Sequence, residues 1–246
     1  MYLLLSKYIS HRKASYYIKD ATRLPDIYLC FSHENAQLHF ELDGVGKNKI
    51  ALVGNPELEK IVRKYHELTL NDEKIEYWLH IDQPLSGGDL GENFISRNYH
   101  HDIYTKLSEK AKSEGCRLIV KLHPGSYSDQ DLPKDENIDW VKETEDITTL
   151  IKGAKVCTGF YSSLLVPCIA FKPTILVQVF DISWYKNMSN LTNVLIVKNL
   201  NEFSKVLHMP PSPSSETSIE FLSNQGYNEK HSFKERLISS IKKFCG

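Results

Sequence analysis

The sequence predicts an α/β protein in which short apolar strands alternate with amphipathic helices. Two apolar runs, Ile75–Ile81 and Cys116–Leu122, are predicted strands. Between them, Tyr99–Glu114 is predicted to be a long helix that stops at Gly115, a residue suited to a helix C-terminus. At 246 residues and 41% hydrophobic composition, the chain is long enough to bury a substantial core. This alternation of strand and helix is typical of a parallel sheet covered by helices.

The rest of the chain continues this alternation of strands and helices. Further strands are predicted at Asp26–Phe31, Leu38–Leu42, Val156–Thr158, Thr174–Val179 and Val194–Val197. Further helices are predicted after the Asn55-Pro56 start signal, from a Thr144 cap to Gly153, at Asn201–Leu207 and at Phe233–Phe244. The polar, Gly-rich segment Ser86–Glu92 is predicted to be a mobile loop or lid, and residues 210–215 a linker.

Composition excludes several function classes. The formal net charge of −1 argues against a protein that binds nucleic acid through bulk electrostatics. Both chain ends are locally basic, which indicates solvated helix faces more than attraction to an anionic glycan or the inner membrane surface. No signal peptide or membrane span is predicted, and the five cysteines show no CxxC spacing. We therefore expect a soluble cytoplasmic protein, with peripheral association at the inner membrane left open.

Polar clusters follow four of the predicted strands. These clusters are Asp43-Gly44, Gln83–Ser86, His123-Pro124 and Ser162-Ser163. Ligands of open parallel α/β sheets bind beyond the carboxyl ends of the strands, so the four clusters together predict one binding edge.

The paired serines predict a phosphate site. Ser162 and Ser163 follow a strand and precede a helix, where unpaired N–H groups and hydroxyls converge on an anion. Simple N-capping by serine explains the pair equally well. Pro167 predicts that this helix starts late or bends.

His123 and Asp43 are the candidate acid–base residues. Pro124 restricts the backbone of His123, so the imidazole has a defined direction and can bind a phosphate or donate a proton to it. Asp43 precedes Gly44, where a carboxylate can approach a substrate hydroxyl, although an ordinary Asp-Gly turn is the alternative. Glu41 is the next candidate base, because strand alternation would place it on the same face as Asp43.

No metal site is predicted. The sequence has no DxD motif and no cluster with ligand spacing. The adjacent pair His100-His101 is expected to be a solvated helix start rather than a pair of metal ligands.

Three segments resemble a known enzyme family. Ile81–Ser86, Lys121–Pro124 and Thr158–Leu164 are similar to motifs of the bacterial polysialyltransferase and lipooligosaccharide sialyltransferase families. Those families combine an acidic-acidic-Gly motif, an HP motif and a paired-serine motif on a two-lobe Rossmann-like scaffold. The resemblance covers about residues 36–200, and Glu41–Gly44 departs from it because its two acids are not adjacent.

The resemblance implies a fold and a reaction. The fold is GT-B-like, with two Rossmann-like lobes, and few residues precede Asp43, so we expect a shortened N-terminal acceptor lobe (1–72). A nucleotide-sugar-binding lobe (73–209) and a linker with a C-terminal helix packing back (210–246) follow. The implied reaction is inverting transfer of sialic acid from CMP-sialic acid to a capsule or lipooligosaccharide glycan, without metal or cofactor.

The resemblance also implies site roles. Asp43 is the implied general base, and His123 meets the CMP phosphate as a candidate general acid. The implied nucleotide-binding residues are His123, Pro124, Gly125, Thr158, Gly159, Ser162 and Ser163, and the implied substrate-binding residues are Gln83 and Ser86.

Three alternatives remain open. A CDP-glycerol or CDP-ribitol phosphotransferase of a surface polymer resembles the chain at Asp146–Leu150, at Thr158–Ser163 and in the HP motif. The short first lobe favours a non-catalytic nucleotide-binding remnant. A sugar-nucleotide epimerase would need further carboxylates facing the sugar.

Overall fold

Two compact units make up the chain. The computed structural model describes residues 27–42, 44–69, 76–86, 95–126, 132–143, 146–179, 181, 183–203, 206 and 208–245. One unit joins Met1–Glu59 with Glu220–Gly246, and the other comprises Lys60–Ile219. The sequence-based boundaries at 72 and 209 stay a prediction.

The larger unit is built on a six-stranded parallel sheet. Its strands are β3 (Tyr77–Ile81), β4 (Arg117–Lys121), β5 (Ile138–Val141), β6 (Val156–Gly159), β7 (Thr174–Val177) and β8 (Val194–Val197). They lie in the order β5-β4-β3-β6-β7-β8, so the chain builds outward from β3 in one direction and then outward from β6 in the other. This is the Rossmann order, and its topological switch point lies between β3 and β6.

Helices connect the strands. They are α2 (Pro56–Glu67), α3 (Arg97–Ser113), α4 (Ile147–Gly153), α5 (Leu165–Phe171), α6 (Ser183–Met188), α7 (Leu200–Phe203) and α8 (Ser215–Asn224), after α1 (His33–Leu42) and before α9 (Phe233–Cys245). The predicted caps of two helices are confirmed. Asn55 Oδ1 accepts the Glu57 and Leu58 N–H groups at 2.9 and 3.4 Å, and Gly115 ends α3 with φ of +72°.

The core of the larger unit lies between the sheet and α3. Trp78, Leu118 and Val120 of the central strands are fully buried and pack with Ile103 and Leu107 of α3. Their near-continuous apolar sequences are those of strands covered on both faces.

No helix within the described ranges is long and apolar enough to cross a membrane.

The smaller unit pairs two short parallel strands, β1 (Tyr28–Cys30) and β2 (Ile50–Leu52). Helix α9 is attached to it by Glu59, whose carboxylate accepts the Phe233 N–H at 2.6 Å and lies 3.4 Å from Arg236 Nη2. Gly226, with φ of +81°, comes so close to the carbonyl oxygen of Phe31 that a Cβ at this position would clash with it. A glycine is therefore required at this crossing.

One predicted strand is wrong. Leu38–Leu42 belongs to α1, whose first turn is capped by Ser32 Oγ accepting the Asn35 N–H at 3.1 Å. Helix-favouring residues and a hydrogen bond from Gln37 to Glu41 at 2.7 Å outweigh the local alternation of apolar residues. The strand argument that placed Glu41 beside Asp43 fails with it.

Several boundaries also differ from the sequence-based ones. Helix α4 is capped by Asp146, which accepts the Thr148 and Thr149 N–H groups, whereas Thr144 lies outside the described residues. Strands β2 and β5 and helices α6 and α8 were not predicted. The predicted loop Ser86–Glu92 lies outside the described residues beyond Ser86.

Burial of His80 predicts a pH-dependent stability. The side chain is 0% exposed, and desolvation lowers its pKa from 6.5 to about 4, against an opposing effect of Asp82. The unfolded chain therefore binds a proton below pH 6.5 that the folded protein takes up only near pH 4. The free energy of unfolding should fall by about 3 kcal/mol as the pH drops through this window.

Chemical denaturation of the wild type and His80→Asn between pH 7 and pH 4 checks this prediction. Asn cannot titrate, so its stability should depend less on pH in this window. The lowered pKa values of Asp82 and Asp146 reduce stability mainly below pH 3.8, and both carboxylates are present in the two proteins, so the difference between the two slopes reports on His80. Equal pH slopes for the two proteins would contradict the assignment to His80.

Candidate nucleotide site

The carboxyl ends of three adjacent strands meet at the switch point of the larger sheet. Ile81, the last residue of β3, pairs with Lys121 of β4 on one side and with Gly159 of β6 on the other. The residues that follow these strands therefore share one edge. Neighbouring strands lie about 4.8 Å apart, so the segments after β4 and β6 flank the end of β3 across roughly 10 Å.

Two consecutive residues after β3 hold the flanking segments. Asp82 Oδ2 accepts the main-chain N–H of His123 at 3.2 Å on the β4 side. Gln83 Oε1 accepts the main-chain N–H of Tyr161 at 3.2 Å on the β6 side. The predicted binding edge is thus linked laterally by side chains as well as by the sheet.

The His-Pro segment presents its imidazole. Pro124–Ser126 form a short 3₁₀ turn in which the Ser126 N–H donates to the His123 carbonyl at 2.8 Å. The Gly125 N–H donates to His123 Nδ1 at 3.0 Å. Nδ1 is therefore an acceptor and carries no proton, which leaves the proton of the neutral ring on Nε2. Because Pro124 has no N–H, the exposed ring of His123 is the group that this turn offers to a ligand.

The Gly125 position is crowded. A Cβ on Gly125 would lie 3.3 Å from His123 Nδ1 and 3.4 Å from Pro84 Cγ. A larger residue would therefore push against the imidazole and against the segment after β3. Gly125 allows the tight turn, while its N–H is already used within the segment.

The paired serines lie where an anion can reach their N–H groups. Ser162 Oγ accepts the Leu164 N–H at 3.3 Å, and the carbonyls of Ser162 and Ser163 accept the first N–H groups of α5. Within the described ranges, the Ser162 and Ser163 N–H groups donate to no protein acceptor. Helix α5 starts late, at Leu165, and holds Pro167 in its first turn, as predicted.

Thr158 and Gly159 lie beneath this edge. The Thr158 side chain is completely buried, and its hydroxyl lies 2.8 Å from His80 Nδ1. A Cβ on Gly159 would approach Leu165 Cδ2 to 2.8 Å and the Ile81 carbonyl oxygen to 3.0 Å. Thr158 thus contacts β3 and Gly159 packs closely against the start of α5, and the contact of either residue with a nucleotide stays a prediction.

A buried acidic network lies behind the His-Pro segment, and the sequence analysis missed it. Asp82 is 2% exposed, and its Oδ1 accepts the Tyr104 hydroxyl at 2.6 Å and lies 3.3 Å from His100 Nε2. Its Oδ2 accepts the Ser126 hydroxyl at 2.9 Å as well as the His123 N–H. Burial alone would raise the pKa of Asp82, but hydrogen bonds and charge from His100, with the Tyr104 hydrogen bond, lower it below its usual value.

His100 corrects one expectation and explains another residue. It is 4% exposed rather than solvated, because α3 begins at Arg97 and turns this side chain towards Asp82. Its Nδ1 lies 2.9 Å from Ser86 Oγ, so Ser86, predicted to bind substrate, contacts a buried histidine. The helical i, i+4 spacing of His100 and Tyr104 was the available signal for this network.

Aromatic rings and a cavity extend the same edge. Tyr161 is 44% exposed, and its ring centroid lies 5.3 Å from that of Trp184. Beyond β7 and β8 lies a cavity of about 470 Å³, a size typical of small-molecule sites. It is lined by Gln178, Asp181, Tyr185, Lys186, Ser189, Ile196 and Lys198.

Asp43, the predicted base, lies outside the described residues.

Solved structures share this architecture. A variant of the wall teichoic acid polymerase TagF matches 97% of this chain and 58% of its own length, with a TM-score of 0.50 and 14% identity. The fold is GT-B-like. A putative UDP-N-acetylglucosamine 2-epimerase from Listeria monocytogenes matches 95% of this chain and 70% of its own, with a TM-score of 0.50 and 11% identity.

These likenesses concern the fold. This chain spans less than two thirds of the length of the polymerase. No protein-family model matches the sequence, and no curated protein matches it.

Proposed function

We propose that this chain is a metal-independent transferase that binds a cytidine-activated donor at the edge of β3, β4 and β6 and releases CMP. The observation that carries the proposal is the pairing of Asp82 with the His123 segment and of Gln83 with the Tyr161 segment. It brings an imidazole to the same edge as the Ser162 and Ser163 N–H groups, which donate to no acceptor among the described residues, at the switch point where such sheets bind ligands.

The chemistry needs stabilisation of a departing phosphate. When CMP leaves, negative charge develops on the phosphate oxygen that loses its bond. Donors fixed in advance around that oxygen stabilise the transition state without reorganising. His123 Nε2–H and the N–H groups of Ser162 and Ser163 are such donors. Because Nδ1 of His123 already accepts the Gly125 N–H, we assign the ring the role of a neutral hydrogen-bond donor.

Two surfaces of the protein near this edge suit the other parts of the donor, its cytosine and the group that is transferred. The exposed Tyr161 ring beside Trp184 offers a face on which a cytosine can stack. Lys186 and Lys198 line the cavity beyond β8 together with one carboxylate, Asp181, so its lining carries one excess positive charge, which suits an anionic donor such as CMP-sialic acid. Sialic acid is the transferred group that we place first, because Gln83–Ser86 resembles the sialyltransferase families, whereas the HP and paired-serine motifs resemble both candidates.

A CDP-glycerol or CDP-ribitol donor is the second candidate. The resemblance at Asp146–Leu150 favours it, and the polymerase TagF has a similar fold. Asp146 caps α4, and its carboxylate lies 3.0 Å from Lys64 Nζ. Both donors release CMP, but sialyl transfer breaks the bond between the anomeric carbon and oxygen, whereas polyol-phosphate transfer breaks a phosphorus–oxygen bond.

A CMP-release assay separates the candidates. The purified protein is given CMP-sialic acid or CDP-glycerol with a panel of glycan and polyol-phosphate acceptors. Acceptor-dependent release from CMP-sialic acid alone supports sialyl transfer, and release from CDP-glycerol alone supports the second candidate. CMP binding without release from either donor would favour the non-catalytic remnant.

The paired serines predict a measurable binding loss. The double variant Ser162→Ala/Ser163→Ala should bind CMP more weakly by roughly 1–3 kcal/mol, because it loses hydroxyl contacts to a charged group. Calorimetric titration with CMP measures the change. Ser113→Ala, which removes an exposed hydroxyl bonded to the Lys110 carbonyl, is the matched control and should bind normally. Unchanged CMP affinity in the double variant would remove the serine hydroxyls from the site.

A further inference from the structure

The carboxylate of Asp82 connects two parts of the larger unit. Its Oδ1 faces Tyr104 and His100, which both belong to α3. Its Oδ2 accepts from the main chain of His123 and from the Ser126 hydroxyl, which lie at the two ends of the His-Pro turn. One buried group thus joins a core helix to the turn that presents the imidazole.

We propose that Asp82 is the positioning residue for His123, holding the turn so that the ring keeps its proton on Nε2 and directs it towards the donor phosphate. This inference rests on the proposed function for the identity of the ligand. Asp82 itself does not touch the ligand in this account, and it acts through the conformation of residues 123–126.

The hydrogen bonds show how the carboxylate can set the tautomer. With both ends of the turn held by Oδ2, the Gly125 N–H lies 3.0 Å from His123 Nδ1. That bond requires Nδ1 to be unprotonated, because a nitrogen that carries a proton has no lone pair with which to accept the Gly125 N–H. If the turn loosens, the Gly125 bond weakens and the imidazole can place its proton on either nitrogen.

The position of Asp82 is itself well determined. Its main-chain N–H donates to the Lys121 carbonyl at 3.0 Å, which continues the pairing of β3 with β4 beyond Ile81. A buried carboxylate with several donors is costly to replace, since removing it leaves those donors unsatisfied. Loss of stability in a variant is therefore expected, and the test must separate it from loss of positioning.

Nitrogen-15 NMR of the His123 imidazole in the free protein is the test. In the wild type, the shifts should report a protonated Nε2 and an unprotonated Nδ1. Asp82→Ala should give a mixture of tautomers, and Ser126→Ala, which removes one donor from the half-buried turn, should give a smaller change of the same kind. If Asp82→Ala fails to fold, Ser126→Ala decides the outcome.

Thr174→Val is the control for stability. Its hydroxyl is buried and bonded to the Lys172 carbonyl at 3.0 Å, at the opposite end of the strands from His123. The variant should be less stable and should keep the wild-type tautomer. A wild-type tautomer in Ser126→Ala, or an equal tautomer shift in Thr174→Val, would overturn the proposal.

Turnover gives a second readout where CMP release is observed. Asp82→Ala should lower kcat by about 10²-fold with little change in KM for the donor, which is the typical effect of misplacing a catalytic group by about 1 Å. The NMR measurement uses no nucleotide. If the variants change the His123 tautomer as expected but the wild type releases no CMP, the proposed function is wrong and the positioning of His123 by Asp82 is still supported.

Discussion

Replacing His123 with alanine should lower the rate of CMP release by about 10²–10³-fold, the usual effect of losing one fixed donor to a developing negative charge. The Nε2 proton is the group lost, since Nδ1 is already bonded to the Gly125 N–H. The imidazole is exposed, so the melting temperature should change little. Steady-state CMP release and thermal unfolding of the two proteins measure both effects.

His208 provides the matched control for this variant. It is an exposed histidine of the same unit, and His208→Ala should leave CMP release unchanged. A large stability loss in His123→Ala, with activity falling in proportion, would mean that His123 is structural. His123→Gln keeps an N–H donor on a side chain of similar reach and should recover part of the lost rate.

The second large effect is expected at Asp43, which stays a sequence-based prediction. An acceptor hydroxyl must lose its proton as it attacks, and the resemblance assigns that proton to Asp43. Asp43→Asn keeps the size of the side chain but cannot take up the proton. Turnover should fall by about 10²–10⁴-fold, while calorimetry should show normal CMP affinity.

Glu41→Gln is the companion variant for Asp43→Asn. Glu41 is exposed near the end of α1 and accepts a hydrogen bond from Gln37, so its replacement should leave turnover nearly unchanged. Full activity of Asp43→Asn would place the base elsewhere. If the wild type binds CMP and transfers to no acceptor, Asp43 is only a turn residue and the remnant alternative holds.

Much of the larger sheet could be predicted from local patterns. Apolar runs located β3, β4, β6 and β8, and the Asn55 and Gly115 signals located the ends of two helices, because these features depend on neighbouring residues alone. The failure at Leu38–Leu42 has the opposite cause. Three alternating apolar residues favour a strand locally, but the Ser32 cap and the pairing of Gln37 with Glu41 stabilise a helix.

The candidate site was predicted only in part. His123 and Ser162 could be placed at one edge, because the carboxyl ends of parallel strands meet there. The network around Asp82 could not, since it depends on which face of α3 meets the end of β3, a property of tertiary packing. Tyr104 and His100 looked like ordinary helix residues until the fold placed them against that carboxylate.

An NMR titration with CMP reports directly where the nucleotide binds. Saturating CMP should shift the main-chain N–H signals of Ser162 and Ser163 and the Nε2 signal of His123 more than other signals of the larger unit. In Ser162→Ala/Ser163→Ala these shifts should be smaller at the same CMP concentration. Shifts confined to other parts of the sheet, or no response to CMP at millimolar concentration, would contradict the proposed nucleotide site.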